Sequence, residues 1–272
     1  MPTPKELLDS GRLDAAIEAL TQEVKANPSD ATRRIFLFEL LCFAGQWDRA
    51  EKQIDVLGSE SAQASLAVQV YKSNVAAEKQ RVKLYREGAA PHFLNEPPAY
   101  ADLQVEGIRK LASGDAAAAR QLFDRAEEER PSVAGKWNGK AFLDFRDYDD
   151  AIAGVLELIV KDKYAWLPFE QIRKIEMRPP SKLRDLLWVP TRIEALDGTI
   201  GEVFVPALYA GSSDSKNENA RLGRMTDWKE VGDGLVAGVG QRLFLVDDTD
   251  EPILQARSIE FEAKTSAGAP AS

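Results

Sequence analysis

Few residues in this chain have the types and spacing that chemistry needs. Among its 272 residues there is one histidine, His92, and one cysteine, Cys42. Any Ser-His-Asp or Cys-His site would have to use His92. That residue sits in the proline-rich stretch Pro91 to Pro98 and reads as a loop residue rather than a base. Cys42 stands inside the apolar run Leu37 to Phe43 and reads as a small core hydrophobe. A lone cysteine excludes an intrachain disulfide and any multi-thiolate metal site. A lone histidine excludes zinc sites built on two or three imidazoles. Gly135-Lys-Trp-Asn-Gly139-Lys140-Ala141 is one residue short of a phosphate-binding loop, and Ala141 stands where that loop needs Ser or Thr for magnesium. Gly238-Val-Gly240-Gln-Arg-Leu243 has leucine where a dinucleotide loop needs its third glycine; it reads as a turn between strands. Asp147, Asp149 and Asp150 lack the rest of an EF-hand loop and suit helix N-capping better. Glu127-Glu128-Glu129 reads as a solvated helix face. No catalytic residue, metal ligand or cofactor is assigned.

What remains is the scaffold. Lys+Arg is 35 and Asp+Glu is 44, giving a formal charge of −9. Phosphate recognition and docking on anionic lipid both need basic surface, so neither nucleic acid nor membrane is an expected partner. No apolar run approaches the ~18 residues of a membrane span. The first 14 residues lack the apolar stretch of a secretory signal, so the expected location is the cytoplasm.

The first half repeats. Gly11, Asp14, Ala16 and Leu20 recur 34 residues later as Gly45, Asp48, Ala50 and Ile54. A third copy starts at Gly114-Asp115 and ends at Pro131, 17 residues after its glycine, as Pro28 follows Gly11. A 34-residue period is the tetratricopeptide signature, two antiparallel helices per repeat. The glycines fall where a helix ends and the chain turns through positive φ. Ser29-Asp30 offers an N-cap for a helix over 31–43. Residues 60–87 read as a long helix outside the consensus, and another helix spans about 100–112.

After Pro131 the period changes. Ile152, Val155, Leu156 and Ile159 suggest a helix over 148–161. Short apolar runs then read as strands. Asp197-Gly198 between two of them signals a hairpin. Residues 211–224 read as a polar, partly disordered loop, and strands resume near 235–238, 242–247 and 253–261. Trp137, Trp166, Trp188 and Trp228 all fall in this half, and most of them are expected to fill its core. The fold class is therefore α+β. A tetratricopeptide-like helical domain over 1–131 precedes a mixed, mainly antiparallel β domain over 132–262, with an unstructured tail over 263–272.

The whole chain resembles the ImpE family, also called TagJ, accessory proteins of bacterial type VI secretion. The carrying segments are Leu13-Asp-Ala-Ala16, Phe36-Leu-Phe-Glu-Leu-Leu41, Gly45-Gln-Trp-Asp-Arg-Ala50, Tyr164-Ala-Trp-Leu-Pro-Phe-Glu-Gln-Ile172 and Leu183-Arg-Asp-Leu-Leu-Trp-Val-Pro190. Thr226-Asp-Trp228 and Gly238-Val-Gly-Gln-Arg242 follow in the same order. The resemblance implies a nonenzymatic cytoplasmic adaptor. Its implied partners are TssB, the small subunit of the contractile sheath, and, directly or through it, the ATPase ClpV, which disassembles contracted sheaths. Stacked helix pairs also make a groove for an amphipathic helix on physical grounds alone. In the repeat over 31–57 the candidate lining residues are Arg33, Arg34, Leu37 and Glu39. Two other readings stand beside this one: a general tetratricopeptide scaffold or chaperone with another partner, and an enzyme using His92 and the aromatic β domain.

Overall fold

A computed structural model describes residues 2–57 and 62–262. The helical half contains α1 (Pro4–Asp9), α2 (Leu13–Ala26), α3 (Ala31–Phe43), α4 (Trp47–Ile54), α5 (Ala62–Glu87), α6 (Ala99–Ala112) and α7 (Ala116–Glu129). The repeat glycines end the first helix of each hairpin α1/α2, α3/α4 and α6/α7. Gly11, Gly45 and Gly114 have φ of +79°, +64° and +84°, a region that favours glycine. Five residues after each glycine stands an alanine, Ala16, Ala50 or Ala119, and all three are fully buried. A larger side chain there would force the paired helices apart. Asp30 caps α3 by accepting from the Arg33 N–H at 2.9 Å, as its sequence position predicts.

The second half is built from strands. Before α6 comes β1 (His92–Phe93). After α7 follow β2 (Gly135–Trp137), β3 (Lys140–Phe142), β4 (Phe145–Asp147), β5 (Val155–Val160), β6 (Lys163–Pro168), β7 (Ile172–Met177), β8 (Trp188–Ala195) and β9 (Ile200–Pro206). A four-residue helix α8 (Glu218–Arg221) precedes β10 (Thr226–Gly232), β11 (Leu235–Gly240), β12 (Leu243–Val246), β13 (Thr249–Pro252) and β14 (Ser258–Phe261). Nine strands form one sheet in the order β1-β6-β5-β9-β8-β7-β14-β2-β3; β13-β12-β4 and β10-β11 form two smaller ones. All pairings are antiparallel except β1 with β6. The Asp197-Gly198 hairpin joins β8 to β9, with Gly198 at φ +86°.

The large sheet separates two cores. Along β5, Val155 and Ile159 pack with the helices, whereas Leu156 and Leu158 face a second core. That second core holds Trp137, Phe142, Phe145, Phe169, Phe244 and Phe261, several in edge-to-face contact.

Two expectations are corrected here and two further points are refined. Residues 148–161 are not a helix: a short 3-10 turn over Asp150–Ile152 leads into strand β5. Val155 to Val160 is buried on both faces of a central strand, with Glu157 its one charge, and a nearly continuous apolar run matches a helical period as well as any other. Residues 211–224 are ordered, with a 3-10 turn at Ser212–Asp214 and helix α8. Gly238 and Gly240 lie at the end of strand β11, and the expected turn falls just after them, at Gln241-Arg242 before β12. The strand over Thr226–Gly232 went unread because its alternation is mostly charged. The predicted tail over 263–272 lies outside the described residues.

Two features tie the halves together. β1 leaves the helical half to pair with β6, with His92 opposite Ala165. In return, the 211–224 segment reaches back to the first helices. Arg221 grips the Asp14 carboxylate at 2.8 Å and 2.9 Å, and Glu218 accepts from the Asp14 N–H at 2.7 Å. Arg224 donates to the carbonyls of Leu8 and Asp9 at the end of α1; the Leu8 carbonyl also accepts from the Gly11 N–H at 2.9 Å.

Candidate functional site: the cleft between helices and sheet

Between the two halves lies a cleft of about 780 Å³. Its apolar walls come from Phe43, Ile108, Leu111, Phe123 and Leu235, and its floor from Glu78, Arg81 and Asp149. The hairpin β10–β11 forms one side.

The floor is a buried network of charge. Glu78, Arg81 and Tyr85 share one face of α5, spaced to meet the sheet. Arg81 holds Glu157 of β5 in a two-point grip, at 2.8 Å and 2.7 Å, and donates also to the Leu208 carbonyl. Glu157 further accepts from Tyr164 at 2.5 Å and from Tyr85 at 3.2 Å, and Arg242 stands 3.2 Å away. Arg242 in turn binds Asp147 at 2.6 Å. Burial alone would raise the Glu157 carboxyl, but Arg81 and Arg242 outweigh it and hold it at about 2. Trp188 donates its indole N–H to Glu78 at 2.9 Å, and burial keeps Glu78 above the usual carboxylate range despite Arg81.

Asp149 accepts from Ala151 and, across the cleft, from Gly238 of β11 at 2.9 Å. It therefore caps the short 3-10 turn, as its position before Asp150 suggests. Burial pushes its carboxyl up to about 7 against those two N–H groups, with Asp147 and Asp150 adding to the rise. Tyr209 lies flat against Gly238: a β-carbon there would stand 2.4 Å from the ring. The aromatic group is completed by Trp228, whose ring is 5.7 Å from Tyr209 and 4.8 Å from Tyr148.

The residues singled out from sequence are scattered. His92 is exposed on β1. Cys42 lines the cleft but is buried, and burial, reinforced by Glu78 and Glu39, pushes its thiol well up, so it is no thiolate nucleophile. Gly135 to Ala141 is a β-hairpin turning on Asn138 and Gly139, both at positive φ. Trp137, Trp166 and Trp188 are core; Trp228 is half-buried. Of the groove candidates, Arg33 pairs with Glu23 and Asp30, and Arg34 with Gln53 and the Pro28 carbonyl. Leu37 and Glu39 are interior. Glu39 faces Arg184 of the β half, and burial raises it to about 7 against that cation. Sequence reasoning missed Arg81, Glu157 and Arg242, and read Asp147 as an N-cap candidate rather than the partner of Arg242, because charged residues at ordinary spacings carry no sign of being buried. Every charge on the floor already has a partner in the protein. The cleft thus offers a ligand apolar walls and a polar rim, the composition of a binding surface.

Helical hairpins docked on an antiparallel sheet, with a cleft between them, define a tetratricopeptide-type binding module fused to a β domain. Comparisons with known proteins agree in both parts. Residues 7–70 match a tetratricopeptide repeat model, and residues 139–260 match the ImpE protein model. The chain is 36% identical to the type VI secretion system accessory component TagJ of Pseudomonas aeruginosa, over 95% of this chain and 90% of that one. It superposes on the crystal structure of a Vibrio parahaemolyticus protein with a TM-score of 0.88 at 27% identity, covering 95% of this chain and 97% of the other. The chain belongs to the ImpE/TagJ family.

Proposed function

We propose that this protein is an accessory component of a type VI secretion system that acts by binding rather than catalysis. Its family supports the reading, through the relative that carries that description. The finer proposal is that it binds the small sheath subunit TssB through an amphipathic helix and so links the sheath to ClpV in the cytoplasm.

One observation carries the choice of surface. A second, open groove of about 650 Å³ lies between α1, α3 and the segment 180–186. Leu8, Phe36, Leu183 and Leu186 supply its apolar floor, with Lys182 and the Lys5–Asp9 ion pair at the rim. An amphipathic helix fits such a groove, apolar face down and acidic flanks toward the lysines. Arg33, one turn before Phe36 on α3, is held by Glu23 and Asp30, and Arg34 by Gln53 and the Pro28 carbonyl; their part in this surface is proposed. Leu37 and Glu39 act from beneath: Leu37 packs α3 onto the core, and Glu39 faces Arg184.

The test is calorimetric titration with TssB of the same system, and with its N-terminal helix as a peptide. Saturable binding with a negative heat-capacity change is expected, from apolar burial. Phe36→Ala is expected to weaken it by about tenfold or more, as loss of a buried aromatic anchor does. Charge reversal at Arg33 and Arg34 should weaken it less. No binding by two folded proteins would remove the sheath from the reading and leave a tetratricopeptide scaffold with another partner.

A further inference from the structure

The two-stranded sheet beside the cleft has one fastened edge and one open edge. On the fastened side, Gly238 donates to Asp149 at 2.9 Å and Gly240 to Ser212 Oγ at 2.8 Å, while Tyr209 donates to the Gly240 carbonyl. These bonds set the parity of the hairpin. Gly238 and Gly240 turn their backbone groups away from β10, so their register partners Trp228 and Thr226 turn theirs away from β11. The same alternation turns Glu230, opposite Val236, outward as well.

Those outward groups meet no strand. The Trp228 N–H is closed only by its own neighbour, the Asp227 carboxylate, at 2.8 Å. The N–H of Glu230 and the carbonyls of Trp228 and Glu230 have no hydrogen-bond partner among the described residues. Asp227, Lys229 and Glu230 are exposed. Unpaired groups at every second residue of an extended backbone are matched by another extended backbone.

The sequence of this edge says which one. Laid antiparallel on itself about Trp228, the strand sets Asp227 opposite Lys229 and Lys229 opposite Asp227. Both pairs fall at the positions where side chains approach most closely. Thr226 then faces Glu230, and Trp228 faces Trp228. We propose that the outer edge of β10 pairs with the same edge of a second copy of this chain. The two hairpins become one four-stranded sheet, β11-β10-β10-β11, across a two-fold axis. Asp227 leaves its own Trp228 N–H to bind Lys229 of the other copy, and that N–H bonds the facing carbonyl. Such an isologous contact closes on itself, and so gives a dimer rather than a fibre. It is narrow, so it ranks with the transient interfaces rather than the obligate ones.

Sedimentation of the full chain over a wide concentration range tests this independently of any secretion partner. The wild type is expected to shift toward dimer as concentration rises. Asp227→Lys alone and Lys229→Asp alone each place like charges opposite each other twice, and each is expected to weaken the dimer by about tenfold. The double swap D227K/K229D restores both pairs and is expected to restore the dimer. That rescue separates lost pairing from lost folding. A wild type that stays monomeric at every concentration overturns the proposal and leaves the edge to a foreign segment. So does a dimer indifferent to the single changes, or one that the double swap fails to restore.

Discussion

Two sets of ion pairs join the helical half to the sheet half, and their geometries are nearly the same. At the inner seam Arg81 meets Glu157 at 2.7 Å, with side-chain exposures of 5% and 0%. At the outer seam Arg86 meets Asp214 at 2.8 Å, both 62% exposed. Distance does not distinguish them; solvent does. At the outer seam water screens the charges, and holding two long side chains in place costs entropy that offsets the attraction. At the inner seam the side chains are shielded from bulk solvent, so each charge depends on the others. The outer contacts set how the halves register. The inner ones make their separation cost the exposure of charge.

The sharpest way to break this comparison is Glu157→Ala, which strands Arg81 and Arg242 together in the interior. Chemical denaturation should show a loss of about 3–5 kcal/mol, the scale for removing one partner of a buried pair. A loss under 1 kcal/mol would mean that water reaches the inner seam.

Acidity gives the next test, because the buried carboxyls titrate in opposite senses. Glu157, held at about 2, is depressed. Its contribution is present above the ordinary glutamate range and disappears as pH falls through about 2. Asp149 and Glu39, each at about 7, are raised. The folded state keeps their protons longer than the unfolded chain does, so their contribution is greatest in acid and is lost as pH rises through about 7. Each of the two should therefore account for a fall in stability of about 3 kcal/mol between pH 4 and pH 7. In Glu39→Gln the combined fall should be visibly shallower. An unchanged slope would remove Glu39 from the account.

Gly238→Ala probes the cleft wall between the seams. The added methyl meets the Tyr209 ring, so the aromatic group or β11 must shift, at about 1–3 kcal/mol in a thermal melt. The smallest effect belongs to the outer seam. Arg86→Ala should cost about 0–1 kcal/mol at low salt and nothing measurable at high salt. A salt-independent loss there would place the two seams in the same class.

How much of this was legible beforehand differs between the halves. The helical repeats announce themselves because each is a local event. A turn needs its glycine, a close crossing needs its alanine, and both recur at 34 residues: Gly11 with Ala16, and Gly45 with Ala50. The family resemblance was legible too, and the comparisons support it along 95% of the chain. The sheet was less readable where burial removed alternation, as in Val155 to Val160, and where charge disguised a strand, as in Thr226 to Gly232. The 211–224 segment reads as a disordered polar loop because its binding partners, Asp14, Leu8 and Asp9, lie some 200 residues away.

By itself, then, the sequence determined the helical hairpins, their turns and caps and the Asp-Gly hairpin, which rest on interactions within a few residues, and the class of protein, which rests on motifs in a fixed order along the chain. Only the tertiary structure decided the cleft, its charged floor and the buried places of Leu37 and Glu39. Arg81 and Glu157 are 76 residues apart, and Asp147 and Arg242 are 95 apart. Whether such a residue is a solvated surface charge or a buried partner depends on the dielectric around it. That dielectric exists only once the sheet has closed against the helices.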